Sequence, residues 1–296
     1  IKPDYAEAYN NMGNALKEQG KWEEAIEAYT KALALKPDYA EAYKNMSVAL
    51  KGVIFTKPSS ELQGVITSIL EYKTYVRPTD ISKTAISLLK FEPAIKLLFE
   101  KHFSSNLNQS FQEAVSALSE LPLLLKLMSV CPLADLELEA VLIDIRFNFL
   151  SSVSEMNGTS GLLRFQSALA IQCFTNEYIY NQNDTETKAL QTLEAEVEKT
   201  LSNEQQPNPQ SILCLASYKA LHNYEWVDLL TVTSDIEEVF KRQVLEPRQE
   251  IYLKSNIPIL DEITDKVSSK VREQYEENPY PRWVNTSSLL SPISIN

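Results

Sequence analysis

Glycine, cysteine and histidine are scarce in this chain, and long uncharged apolar runs are missing. With 6 glycines in 296 residues, most Gly-rich loops that cradle phosphates are excluded, and no dinucleotide-binding, Walker or nucleophile-elbow motif occurs. No uncharged apolar run reaches the roughly 18 residues that indicate a membrane-spanning helix, and the first residues do not resemble a signal peptide. We therefore expect a cytoplasmic protein that does not enter a membrane.

The few cysteines and histidines do not form a pattern that indicates chemistry. Cys131, Cys173 and Cys214 lie in apolar runs without metal-ligand spacing, which predicts buried free thiols in a reducing compartment. His102 and His222 lack a second ligand at metal spacing. We expect neither a metal site nor a catalytic pair of nucleophile and base.

Basic residues are also in deficit, because 28 Lys and Arg stand against 40 Asp and Glu, giving a net charge of −12. This sum repels phosphate and argues against binding to nucleic acid or to an anionic membrane. Part of the acidic excess lies on one predicted helix. The absence of a repeated Glu-x-x-His pattern favours a solvated acidic face over a metal-binding bundle. The residues of this face are Asp135, Glu137, Glu139 and Asp144.

A period of 34 residues is the strongest pattern that is present. Residues 1–17 and 35–51 are identical at 13 of 17 positions, which predicts helix–turn–helix units that stack because each cannot bury its apolar face alone. Small residues allow close helix approach, aromatic residues fill the gaps, and a proline ends the second helix. These features resemble the tetratricopeptide repeat over residues 1–52, with signature positions occupied by Tyr9, Met12, Gly13, Leu16, Ala25, Tyr29, Ala32 and Pro37.

The subtype of this repeat resembles the one in the O-GlcNAc transferase superhelix. In that group an asparagine on the first helix of each repeat lines a groove and bonds the backbone of a bound peptide. The resemblance implies this role for Asn11 and Asn45, which lie 34 residues apart, and places Asn14 on the same face. Lys44 and Lys51 would add a mild preference for acidic residues. We expect both amides, Asn11 and Asn45, to be solvated in the free protein.

The second repeat unit departs from the pattern after its first helix. Its partner helix is predicted at residues 60–72 with a serine N-cap, and a degenerate unit of this kind is typical of the end of a repeat array. The chain opens within a repeat. We therefore expect a fragment of a longer array.

The remainder shows helical periods and no strand alternation. Thr79 and Asp80 are predicted to cap a helix that runs to residue 89, and Pro93 suits the first turn of the next one. Further helices are predicted at 94–102, 111–118, 121–130, 133–150, 161–180, 185–201, 208–222, 235–245 and 264–277. The predicted fold class is all-α, a short helical repeat solenoid followed by an α-helical domain. The predicted divisions are repeats at 1–53, a helical domain at 54–265, and a helix with a linker at 266–296.

Residues 54–284 resemble the region between repeats and catalytic domain in bacterial proteins that join tetratricopeptide repeats to a class I S-adenosylmethionine-dependent methyltransferase. The strings that carry this resemblance are residues 173–178, 212–221 and 271–283. In such proteins Asn-Pro-Tyr-Pro-Arg-Trp stands just before the methyltransferase sheet. The chain ends at Asn296 without the Gly-rich cofactor loop. We expect no cofactor in this chain and S-adenosylmethionine only in a catalytic domain beyond it.

Two segments of these strings combine aromatic and polar residues. Core packing is the simplest explanation of the first run, although Asn176 and Glu177 within it could serve a site. Alternating prolines stiffen residues 278–283, so this segment is either a docking or pocket-lining element or an ordinary helix stop with a packed tail. The candidate residues of the second segment are Tyr275, Asn278, Tyr280, Arg282 and Trp283.

Three functions remain open on the sequence. The leading hypothesis is a protein-interaction scaffold without enzymatic activity of its own, in which a groove binds a peptide or protein and presents it to a catalytic domain outside this chain. The alternative is the helical part of a methyltransferase that acts in substrate recognition. The third is a structural, self-associating spacer. The sequence does not predict the oligomeric state or the identity of the partner.

Overall fold

The computed structural model describes residues 5–72, 76–100, 108–154, 158–256 and 265–277, and it contains helices and no strand within these ranges. The chain order is α1 (Ala6–Glu18), α2 (Trp22–Leu35), α3 (Ala40–Ala49), α4 (Ser60–Tyr72), α5 (Pro78–Leu89), α6 (Pro93–Glu100), α7 (Asn108–Ser119), α8 (Pro122–Val130), α9 (Leu136–Ser152), α10 (Ser160–Thr175), α11 (Asp184–Ser202), α12 (Pro209–Ala216), α13 (Glu237–Phe240), α14 (Glu246–Ser255) and α15 (Lys266–Glu277). Two 3-10 helices (Leu221–Asn223 and Glu225–Leu229) follow α12, and a π-helix (Lys241–Leu245) joins α13 to α14. The predicted all-α fold class is confirmed.

The first three helices form the repeat unit that the 34-residue period predicts. α1 packs on α2, and α2 packs on α3. Gly13 and Ala25 are buried in this unit, and a β-carbon on Gly13 would lie 2.5 Å from Cε1 of Tyr29. The close packing of α1 on α2 therefore requires glycine at this position.

The fourth helix has the predicted bounds but a different neighbour. Ser59 caps it, because its Oγ accepts a hydrogen bond from the backbone N–H of Leu62 at 3.2 Å. α4 packs mainly on α8, with smaller contacts to α2 and α5, and it makes only slight contact with α3. The end of α3 is instead capped from α5, where the Thr84 hydroxyl donates to the Leu50 carbonyl at 2.7 Å. The second unit is therefore not a complete helical hairpin.

Two hydrophobic cores follow one another along the chain. The first extends from Ala25 to Tyr180 and includes buried residues on both sides of the predicted division at 53/54. The second extends from Leu150 to Val244 and is built around α10, α11 and α12. The repeat helices consequently share one core with the first part of the helical region that follows them.

Several predicted helix ends were wrong, and each has a local reason. α5 begins at Pro78 after Arg77, so Thr79 and Asp80 lie in its first turn instead of capping it. α9 begins at Leu136 and not at residue 133, because the Asp135 side chain accepts from the Leu138 N–H and caps the helix. α10 ends at Thr175 instead of continuing to residue 180, because positive φ angles follow at Glu177 and Tyr178.

The segment from α12 to α14 differs most from its prediction. The helix predicted at 208–222 ends at Ala216, and α14 was not predicted. The π-helix places Gln243 at the centre of the second core, where its side-chain amide donates to the carbonyls of Ala170 (3.1 Å) and Ala216 (3.0 Å) and accepts from the Leu221 N–H (3.1 Å). One buried amide thus links α10, α12 and the 3-10 segment. It bonds the Ala216 carbonyl at the end of α12 and the Leu221 N–H at the start of the 3-10 helix, where intrahelical partners run out.

The three cysteines are free and buried, as the sequence predicts. Burial raises the pKa of the Cys131, Cys173 and Cys214 thiols to about 12, so the thiolate form is disfavoured in the folded chain. Within the described ranges, no helix combines the length and the apolar character needed to cross a membrane.

Candidate functional site

The predicted groove residues lie on or beside the first helices of successive units, α1 and α3. Asn11 and Asn14 belong to α1, Lys44 and Asn45 belong to α3, and Lys51 lies in the turn that follows α3. These helices contact each other, and their shared outer surface is called the α1–α3 face below. Asn11, Lys44 and Lys51 are exposed, and Asn14 and Asn45 are half-buried. The structure therefore brings the predicted residues of this face together on neighbouring helices.

The amide of Asn45 is already bound, which differs from the expectation that it is solvated. Its Nδ2 donates to Oδ1 of Asn10 at 3.0 Å, and Asn10 is fully buried and lies 3.5 Å from the Tyr39 hydroxyl through its own amide nitrogen. The sequence prediction missed Asn10, since the position one repeat later is Lys44 and the two repeats do not match there. Asn45 consequently links α3 to α1 as well as lying on the face.

Asn11 and Asn14, both on α1, differ in whether their side chains are already hydrogen-bonded within the chain. The Oδ1 of Asn14 accepts a hydrogen bond from the Tyr29 hydroxyl at 2.8 Å, which holds the aromatic ring that packs on Gly13. The side chain of Asn11 forms no hydrogen bond with a described residue. Asn11 is therefore the asparagine of this face that can offer both its donor and its acceptor to a ligand.

The two lysines of the face also have different environments. Lys51 forms an ion pair of 2.8 Å with Asp80 on α5, so its charge is largely neutralised before a partner arrives. Lys44 is exposed and forms no ion pair with a described residue. Any preference of the face for acidic groups therefore depends on Lys44 rather than on both lysines.

An open cleft adjoins this face at the end of α3. It has a volume of about 580 Å³ and lies between the α1–α2 turn and the residues that follow α3. Its apolar lining includes Trp22 and Val48, which are both 45% exposed, together with Val53. Val48 stands one repeat after Asn14, so the surface changes from polar to apolar along its length.

A second candidate region is the turn that follows α10. Its residues belong to the string Cys173–Tyr178, in which Asn176 and Glu177 were singled out as possible site residues. Glu177 and Tyr178 have φ angles of 59° and 57°, a left-handed conformation that non-glycine residues adopt at a cost. Asn176 is buried and Glu177 is exposed. The turn therefore combines core packing with one exposed carboxylate.

A buried ion pair between Arg146 and Glu186 contacts the chain just after this turn, at Asn181. Arg146 Nη2 lies 3.3 Å from Oε1 of Glu186 and donates to the Asn181 carbonyl at 2.7 Å, and the two side chains are only 2% and 3% exposed. The Arg146 guanidinium lies 4.2 Å from the centre of the Tyr218 ring, and the Tyr218 hydroxyl donates to Glu186 at 2.8 Å. The sequence analysis missed this pair, although one arginine between Ile145 and Phe147 in an apolar helix is a recognisable signal.

Several buried polar atoms around this pair form no hydrogen bond with a described residue. Thr175 Oγ1, Asn176 Oδ1 and Arg146 Nε are buried and have no hydrogen-bond partner among the described residues. Burial raises the pKa of the Tyr180 and Tyr218 hydroxyls, with Glu186 contributing at Tyr218. The neutral tyrosines and the ion pair form a fixed polar core, and none of these residues lines the cleft beside the α1–α3 face.

The predicted acidic face on α9 is in part an ion-pair cluster. Lys90, at the end of α5, lies 2.7 Å from Asp135 and 2.8 Å from Glu137, so it joins the end of α5 to the start of α9. Among the described residues, no group of three or more His, Cys, Asp or Glu side chains could hold a metal ion. Two of the four carboxylates of this face, those of Asp135 and Glu137, thus share a structural partner.

The C-terminal candidates fall mostly outside the described residues. Tyr275 belongs to α15, but its side chain lies outside the described part of that helix. Asn278, Tyr280, Arg282 and Trp283 lie outside the described ranges. Their predicted role in docking or pocket lining stays a prediction.

The fold and the α1–α3 face define a protein with one helical hairpin unit, α1 and α2, on which the first helix of a second unit, α3, packs. A family model of the tetratricopeptide repeat matches residues 6–39, which span α1, α2 and the turn into α3. No curated protein and no solved structure matches the chain significantly. Repeats of this family generally mediate binding between proteins and are typically not catalytic. The family match thus supports the resemblance over residues 6–39, the first unit of the range 1–52.

Proposed function

We propose that this chain is a protein-interaction scaffold in which the α1–α3 face binds an extended peptide or protein segment. The observation that carries the proposal is the pair of exposed side chains, Asn11 and Lys44, whose hydrogen-bonding groups are bound to no described residue and lie on neighbouring helices. The amide can donate to and accept from the backbone of an extended chain, and the ammonium can donate to its carbonyl groups, whatever the side chains of that chain are.

The rigidity of the face supports this role. Asn45 is fixed by Asn10 on α1 at 3.0 Å, and Tyr29 is fixed by Asn14 at 2.8 Å, so both helices present their side chains from defined positions. A preorganised surface loses little conformational entropy when a ligand binds. The net charge of −12 favours protein partners over nucleic acid.

Selection from a display library of random short peptides tests the proposal. We expect selected peptides to shift the side-chain amide NMR signals of Asn11 and Asn45, and we expect Asn11→Ala to weaken binding about 3- to 10-fold, the scale of one or two modest hydrogen bonds. Lys31→Ala, at an exposed position of α2, is the matched control. Selected peptides whose binding is unchanged in both Asn11→Ala and Lys44→Ala would exclude the face as the binding site.

Presentation of the bound partner to a catalytic domain is a further part of the proposal. It rests on the resemblance of residues 54–284 to the helical region of methyltransferase fusions, and the comparisons with known proteins lend it no support. In this arrangement tethering would raise the effective concentration of the partner near the catalytic domain. As a second candidate, the helical region itself would recognise the methyl acceptor, with Tyr275, Tyr280 and Trp283 covering the substrate pocket. Methyl transfer by the full-length protein, compared with that of its double variant Asn11→Ala, Lys44→Ala, separates the two, because only presentation by the α1–α3 face depends on these exposed side chains.

A further inference from the structure

The cleft beside the α1–α3 face exists because α3 is shorter than α1. α1 continues to Glu18, whereas α3 ends at Ala49, which corresponds to Ala15 one repeat earlier. The chain turns at Gly52, whose φ of +76° is a conformation that favours glycine. Where α1 has a further turn of helix and α3 has none, the cleft opens on the exposed side chains of Trp22 and Val48 and on Val53.

An exposed indole beside free carboxylates gives this cleft a specific chemistry. Glu23 and Glu24 line it, are exposed, and form no ion pair with a described residue. Lys51 also lines it but is paired with Asp80 at 2.8 Å, and Lys21 is its remaining cation. Two free carboxylates therefore face one free ammonium, so the cleft is acidic in balance, as is the whole chain.

A tryptophan ring is the best aromatic acceptor for a cation, and a guanidinium that lies over it can also reach neighbouring carboxylates. An aspartate or glutamate side chain of a partner would meet the opposite conditions, because it would face Glu23 and Glu24 and would find Lys51 already paired. The apolar lining by Val48 and Val53 suits an aliphatic residue next to the cation.

We propose that this cleft binds an arginine side chain of a partner peptide, followed by an aliphatic residue, with the guanidinium over Trp22 and near Glu23 and Glu24. The inference rests on the proposed function, because it extends the α1–α3 face by one subsite. It reverses the preference that the sequence predicts for the face, since Lys44 and Lys51 indicated acidic partners. The partner class is a basic, extended protein segment.

A matched pair of peptides tests the proposal. Both are acetylated and amidated, flanked by glycine and serine, and contain leucine after a central residue that is arginine in one and aspartate in the other. Binding is followed by NMR at the indole N–H of Trp22, whose signal is assigned with the Trp22→Phe variant. We expect the arginine peptide to shift this signal saturably and to bind at least ~5-fold more tightly than the aspartate peptide, about 1 kcal/mol.

Variants separate this subsite from the rest of the face. The double variant Glu23→Gln, Glu24→Gln should remove most of the arginine preference, and Glu27→Gln, an exposed glutamate of α2 outside the cleft, should leave it unchanged. Higher salt should weaken the binding of the arginine peptide. Because the folds of these surface variants are checked by circular dichroism, a loss of preference reports on the carboxylates.

Three results would overturn the inference. They are equal or tighter binding of the aspartate peptide, an arginine preference that survives the double variant, and the absence of any Trp22 shift with either peptide. If peptides from the display selection bind and shift Asn11 and Asn45 without affecting Trp22, the proposed function stands and the arginine subsite is wrong. If no peptide is selected and Asn11 is never perturbed, the proposed function itself fails.

Discussion

Gly13 lies against the ring of Tyr29, so closely that a β-carbon on Gly13 would be 2.5 Å from Cε1 of that ring. The ring cannot retreat easily, because Tyr29 is fully buried and its hydroxyl is bound to Asn14 at 2.8 Å. Real β-carbons do not approach other atoms this closely. The signature glycine of the repeat is therefore required by a single contact across the α1–α2 pair.

Replacing Gly13 by alanine should destabilise the chain by about 1–3 kcal/mol, because the added methyl group must displace the Tyr29 ring. Urea denaturation of the variant measures this change. Gly64, inside α4, is the matched control, since a β-carbon added there would have no other group within 4 Å. Gly64→Ala should stabilise the chain by up to ~1 kcal/mol through helix propensity alone. Equal effects of the two substitutions would contradict the close contact.

Neutralising one partner of the Arg146–Glu186 ion pair should lower the free energy of unfolding far more than neutralising one partner of a surface pair. Glu186→Gln keeps the volume and the acceptor for Tyr218 but leaves the Arg146 charge buried without a counter-ion. It also replaces the Oε2 that accepts from the Asn183 N–H, and together these changes should cost about 3–5 kcal/mol. The control is Glu120→Gln, because Glu120 pairs with Arg164 at the surface and such pairs contribute ~0–1 kcal/mol. Urea denaturation of both variants is the measurement. Similar small losses in both would show that water reaches Arg146.

The buried thiols predict a loss of stability at alkaline pH. Thiols ionise near pH 9 in the unfolded chain, whereas burial raises the pKa of Cys173 and Cys214 to about 12 in the folded chain. Their stabilising contribution is therefore complete below pH 9 and is lost as the pH rises toward 12, at about 1.4 kcal/mol per pH unit for each thiol. Burial also raises the pKa of Tyr29 to about 12, which adds to the loss above its ordinary value of 10.0.

Urea denaturation at several pH values between about 9 and 11 measures this slope. Cys173→Ala should reduce the slope by the contribution of one thiol, even if the substitution also changes the stability at neutral pH. A thiol-specific reagent should react with the folded chain only as fast as it unfolds. Rapid labelling of all three thiols in the folded chain, or an unchanged slope in Cys173→Ala, would contradict their burial.

The chain by itself should not bind S-adenosylmethionine. This class of cofactor is held by a Gly-rich turn between a strand and a helix, and the sequence has no such motif. Isothermal titration calorimetry of the purified chain should show no heat beyond dilution, and a tetratricopeptide-binding peptide from the display selection serves as the positive control for folded protein. Saturable micromolar binding would favour the methyltransferase interpretation of the helical region.

The repeat helices could be predicted from the sequence because their signal is local. The 34-residue period, the small residues and the proline after α2 predict α1, α2 and α3, and the serine before α4 predicts where it begins. The packing partner of α4 could not be predicted in this way. It depends on α8, about sixty residues later along the chain, and on the Thr84 cap of α3.

The end of α10 and the polar core around Arg146 show a second limit of prediction from the sequence. Sequence rules look for glycine after a helix, but α10 ends at left-handed Glu177 and Tyr178, which the surrounding structure holds in place. Arg146 and Glu186 are 40 residues apart, so their pairing is a property of the fold. On the α1–α3 face, likewise, Asn45 was predicted as a site residue, whereas its bond to Asn10 depends on how α3 lies on α1.

Asn11 and Asn45 occupy equivalent positions of the repeat, but only Asn45 is hydrogen-bonded to Asn10. Asn11→Ala should leave the stability unchanged within about 0.5 kcal/mol, because its amide is exposed and bonds to no described residue. Asn45→Ala should cost about 1–3 kcal/mol, because Oδ1 of the fully buried Asn10 loses its donor. Urea denaturation of the single variants, of Asn10→Ala and of the double variant Asn10→Ala, Asn45→Ala gives a double-mutant cycle. Its coupling energy should be about 0.5–3 kcal/mol. If Asn45→Ala is as neutral as Asn11→Ala, the link between α1 and α3 does not form, and both amides are then free to bind a ligand.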